Sequence, residues 1–91
     1  MEHRLEAKTA QYEALLADAL DVVHLPAKDQ EIGAEVLEMA TAYLDDGRHF
    51  LEHDDAINAL AAFSYGHGWI DAGIRCGVLV SPQSKETGGD P

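Results

Sequence analysis

Apolar residues recur along this chain with a helical period from its first turn to about position 80. Between about Glu2 and Val23, Leu5, Tyr12, Leu16, Ala19 and Val23 fall on one face. Leu15 and Val22 sit at its edge, and Arg4, Glu6, Glu13, Asp18 and Asp21 lie elsewhere. That pattern predicts an amphipathic helix with one buried stripe. His24-Leu25-Pro26 ends it, because the residue before a proline is pushed out of the helical region. Pro26 suits the first turn of a second helix, where its missing N–H costs nothing. This second helix is expected over about 27–52. Ile32, Val36, Met39, Ala40, Tyr43, Gly47 and Phe50 hold its stripe, widened by Leu37, Leu44 and Leu51. Asp29 and Glu31 favour the positive end of its dipole. Asp46-Gly47 has turn chemistry, but the periodicity keeps its phase across Gly47, so the helix is expected to run through.

His53-Asp54-Asp55 is the next connector, with Asp55 as the N-cap of a third helix over about 55–80. This third stretch is apolar on two sides. Leu60, Phe63, His67, Ile70, Ile74 and Val78 form one; Ala61, Tyr65, Trp69, Ala72 and Cys76 form the other. Ser64, Asp71 and Arg75 leave only a narrow polar strip. A helix so apolar around its circumference is expected to be covered by neighbours. Between the two sides runs a line of small residues, Ala59, Ala62, Gly66, Gly73 and Gly77. Each interior glycine costs a helix about 1 kcal/mol relative to alanine. The spacing of seven between Ala59, Gly66 and Gly73 points to close approach of another helix. Ser81-Pro82 ends the third helix, and the polar, Gly- and Pro-rich tail over 81–91 is expected to be disordered.

Three helices of similar length with short connectors predict an all-α fold, a three-helix up-and-down antiparallel bundle over residues 1–80. At 91 residues the chain makes one domain, marginal in size unless well packed or oligomeric. No apolar run approaches the ~20 residues of a membrane span, and MEHRLEAK lacks a signal-peptide core. A single cysteine cannot form an internal disulfide. The expected location is the cytoplasm.

The formal net charge is −11, from 17 acidic and 6 basic residues. Phosphate binding needs basic clusters, and none exists, which disfavours direct nucleic-acid binding and anionic membranes. With only three lysines, the acidity also fits adaptation to high salt, in which case its sign says little about partners.

The stretch YLDDGRHFLEHDDAINALAAFSYGHGWIDAGIRCGVL resembles the signature of a small archaeal family catalogued as domain of unknown function 357. The residues that carry the resemblance are Tyr43, Leu44, Phe50, Leu51, Glu52, Asp55, Asn58 to Ala62, Tyr65, Gly66, Gly68, Trp69, Asp71, Ala72 and Gly73. The resemblance covers most of residues 30–79 and implies a three-helix bundle without an assigned activity. Family members often carry glycine where Asp54 stands, which implies a left-handed turn there.

Candidate chemistry is sparse. His49 and His53, four apart, share a helix face with Asp46, a spacing that suits a divalent metal; solvated surface histidines are the simpler reading. The zinc-protease pattern is missing, since Phe50 follows His49. Arg48 to His53, RHFLEH, resembles the short motif of HEPN ribonucleases, in which Arg and His act together on an RNA phosphate. On a continuous helix the two would point well apart. His67 lies among apolar positions and reads as a core histidine. Asp71 and Arg75 are spaced to pair along the polar strip. Cys76 reads as a small core or interface residue. No cofactor is implied. The composition therefore favours a module that works by binding a protein partner or by self-association. Ala59, Gly66, Gly73, Gly77, Tyr65, Trp69, Asp71 and Arg75 are its candidate packing and interface residues.

Overall fold

The computed structural model describes residues 2–82. They form three helices, α1 (Glu2–Val22), α2 (Glu31–Glu52) and α3 (Ala56–Arg75). The expected tail over 83–91 lies outside the described residues.

The helices run up, down and up, and α3 packs against both others while α1 and α2 touch far less. Positions on α2 and α3 pair in opposite order. A methyl group built on Gly47 would meet the Phe63 ring, one on Gly66 would meet Tyr43, and one on Gly73 would meet Val36. The core is Leu16 and Val23 from α1 and its end, Val36, Ala40 and Leu44 from α2, and Ala59, Phe63 and Ile70 from α3, closed by Leu79. Thr9 continues the α1 stripe between Leu5 and Tyr12. It is fully buried because its hydroxyl donates to the Leu5 carbonyl at 2.7 Å, which satisfies the one polar atom it carries inward.

α2 runs unbroken through Gly47. The phase across that glycine holds because its missing side chain is where the fully buried Phe63 ring sits, 2.6 Å and 2.7 Å from an ideal Cβ. The start of α2 differs from expectation. Pro26 is not in its first turn; residues 25–30 form a connector in which Asp29 takes a left-handed conformation (φ 55°). Aspartate tolerates that region better than most residues. The Gln30 side chain donates to the Pro26 carbonyl at 2.7 Å, and helical bonding begins with Ala34 N–H to Gln30.

The α2–α3 turn closes with paired bonds, from Asp54 N–H to Leu51 and from Asp55 N–H to Phe50. Asp54 stands at the left-handed position (φ 58°), as the resemblance implied. Asp55 caps α3: its carboxylate accepts from the Asn58 backbone at 3.1 Å and from the Asn58 amide at 2.7 Å.

α3 ends at Arg75, not near residue 80. Gly77 is therefore not part of the helical small-residue line. It is exposed, with φ 82° and open space where a side chain would be. Its N–H bonds to Ile74 and that of Val78 bonds to Gly73, the double closure that a left-handed glycine permits. The chain then folds back. Leu79, 1% exposed, packs where Gly73 has no side chain, and Val80 exchanges two 2.9 Å backbone bonds with His24. Ser81, expected in the tail, is buried.

Candidate functional site

α3 has two neighbours, and two neighbours cover one side of it. Phe63 and Ile70 are buried, Leu60 is partly buried, and His67 and Ile74 are partly buried along α1. The second apolar side is open. Tyr65 is 65% exposed and Trp69 40% exposed, and Ala61, Gly68, Ala72 and Cys76 lie open with them. The expectation that α3 is covered all round is thus corrected for this side, and Cys76, read as a core or interface residue, is not in the core. α2 extends the open face. The Tyr43 and Tyr65 rings meet at 5.7 Å between centroids. One turn further along each antiparallel helix, Met39 comes level with Trp69. Met39 and Ile32 are themselves 39% and 56% exposed.

The small residues of α3 divide between these sides. Ala59, Gly66 and Gly73 face inward and are buried. A methyl group on Gly66 would lie 2.7 Å from Leu16 and 3.3 Å from the Ala40 carbonyl; one on Gly73 would lie 2.8 Å from Leu79. Gly68 is different, with nothing within 4 Å of the same construction. It forms the floor of an open depression of about 400 Å³, lined by Ser64, Tyr65, Gly68, Trp69 and Ala72.

The polar candidates are dispersed. Arg48 Nε donates to Glu13 Oε2 at 2.7 Å, joining α2 to α1. His53 turns back on its own helix, Nδ1 lying 2.9 Å from the His49 carbonyl oxygen, a contact made by the tautomer protonated at Nδ1. The structure therefore does not bring Arg48 and His53 to a common point. The His49 and His53 rings lie 4.4 Å apart between centroids, tilted by 46°, on the exposed face. Among the described residues no group of three His, Cys, Asp or Glu side chains is placed to hold a metal ion, so Asp46 does not complete a site with them.

Asp71 faces back to His67, with 3.5 Å between Oδ2 and Nδ1, rather than pairing with Arg75. The His67 side chain is 35% exposed, at the edge of a groove of about 310 Å³ between α1 and α3, not in the core. A depression of about 560 Å³ lies at the α2–α3 turn. Its charged lining is Glu6, Asp54 and Asp55, without a cation.

Residues 11–79 match the model of a family described as a protein of unknown function, DUF357. The chain belongs to that family. No curated protein and no solved structure matches this DUF357 chain. Among its described residues no helix is long and apolar enough to cross a membrane.

Proposed function

We propose that this DUF357 chain is a non-enzymatic protein-interaction module whose binding surface is the open face shared by α2 and α3. One observation carries the reading: Trp69 and Tyr65 are held side by side, 40% and 65% exposed, among the small uncharged residues Ala61, Gly68, Ala72 and Cys76. Tryptophan and tyrosine are the residues over-represented at the buried centres of protein interfaces, and charged residues are depleted there. A chain with 17 acidic residues in 91 has carboxylates on its other outer surfaces. Keeping them off this one favours burial of the face against another protein. No comparable observation favours the ribonuclease or the metal reading, since Arg48 is held by Glu13 and the His49–His53 pair has no third ligand among the described residues.

The test is site-specific photocross-linking. A benzoylphenylalanine at position 65 and a control at exposed Ala10 on α1 are compared in extracts at native salt. Adducts formed at position 65 and not at position 10 are the expected result. Equal or absent adducts at the two positions overturn the reading.

A further inference from the structure

We infer that the occupant of this face is a second copy of the chain, with α3 packed antiparallel on its copy and each Trp69 seated over the partner's Gly68. The inference rests on the interaction reading above and adds the partner. Three features of the face argue for it.

The first is self-complementarity. A two-fold contact uses the same patch twice, so that patch must carry both the projection and the recess that receives it. The depression over Gly68 and the two aromatic rings that flank it occupy adjacent positions of one helix face. Ser64, Gly68 and Ala72, four apart, lower one ridge and let a second helix come close. Gly68 has no reason for its lack of a side chain inside the protomer, and the partner's ring supplies one.

Charge is the second. A two-fold contact sets one patch against the same patch, so carboxylates scattered over it would be brought together, those beside the axis against their own copies. In a chain of net charge −11, the outward positions Ala61, Tyr65, Gly68, Trp69, Ala72 and Cys76 carry no charge. At these positions two such acidic chains can meet without opposing carboxylates.

Size is the third. The face runs from about residue 58 to 76 of α3, about 28 Å at 1.5 Å per residue, and spans two helices about 20 Å wide with Met39 and Ile32. That is on the order of 560 Å² per protomer, just below the lower end of specific interfaces. The dimer is accordingly concentration-dependent rather than permanent.

Sedimentation equilibrium of the whole chain, up to submillimolar concentration and over a salt series, tests the proposal. The expected mass rises from 9.8 kDa towards twice that value, and added salt strengthens the association by screening the distant carboxylates. Gly68→Gln fills the recess, and its Cβ meets nothing within 4 Å in the protomer, so it should weaken the dimer at least tenfold while its melting temperature when dilute does not fall. A spin label on Cys76, the single cysteine, should report a separation of about 25 Å, since in the antiparallel pair each label lies eight residues from the centre.

A wild-type chain that stays monomeric at every concentration and salt overturns the dimer. So does a dimer that Gly68→Gln leaves intact, or labels lying side by side. Adducts from position 65 to a different protein, with the wild type monomeric, end the dimer and leave the interaction reading standing. Absent adducts together with a monomer end both.

Discussion

Gly66 and Gly68 stand two residues apart on one helix, and each lowers its stability by about 1 kcal/mol relative to alanine. Their surroundings are opposite. At Gly66 a methyl group would press into Leu16, Tyr43 and the Ala40 carbonyl; at Gly68 it would meet nothing within 4 Å. The first glycine is explained by the protomer that contains it. The second is not, and it lies between two exposed aromatic rings. The inner side of α3 thus shows what close packing looks like when complete, and the outer side shows the same residue types left open.

Substitutions at the glycines put that contrast under strain. Gly47→Ala should have the largest effect, a loss of about 1–3 kcal/mol in urea unfolding, because the new methyl meets a fully buried ring. Pairing it with Phe63→Leu should recover part of what the two single changes lose. A Gly47→Ala protein as stable as wild type would erase the distinction between inner and outer glycines.

Gly68→Ala should act with the opposite sign, raising the stability of the dilute chain by up to about 1 kcal/mol, because only helix propensity changes. A loss there would mean the outer side is already packed.

Asp54→Gly separates freedom of φ from lack of volume. It should gain about 0.5–1 kcal/mol, since Asp54 holds φ 58° at a helix end where Gly77 serves the same purpose at the other. Arg48→Gln is the control that touches neither glycine class. Its pair with Glu13 is 48% and 28% exposed, so the loss should be about 0.2–0.5 kcal/mol and should shrink with salt.

Much of this was readable from the letters. The stripe of α1, that of α2 apart from the exposed Ile32 and Met39, the uninterrupted passage through Gly47 and the Asp55 cap follow from period and local chemistry, both of which act within a turn or two. The inward line of Ala59, Gly66 and Gly73 follows too, because only a close neighbour explains its spacing. The bounds were less legible. α2 begins at Glu31 rather than near residue 27, because Asp29 leaves the helical region. α3 stops at Arg75, because Gly77 turns left-handed and sends Leu79 back into the core. Val78 and Leu79 are apolar in helix and turn alike, so their pattern does not distinguish the two.

What the sequence determined on its own is the number, order and phase of the helices, since these depend on interactions between residues three or four apart. Only the tertiary structure decided which of α3's two apolar sides is covered. Both sides are apolar enough to be buried, and a bundle of three gives each helix two neighbours. The choice was made by where α1 and α2 fit most closely, against the glycines that leave room for Leu16, Phe63 and Leu79, and Trp69 and Tyr65 were left facing out.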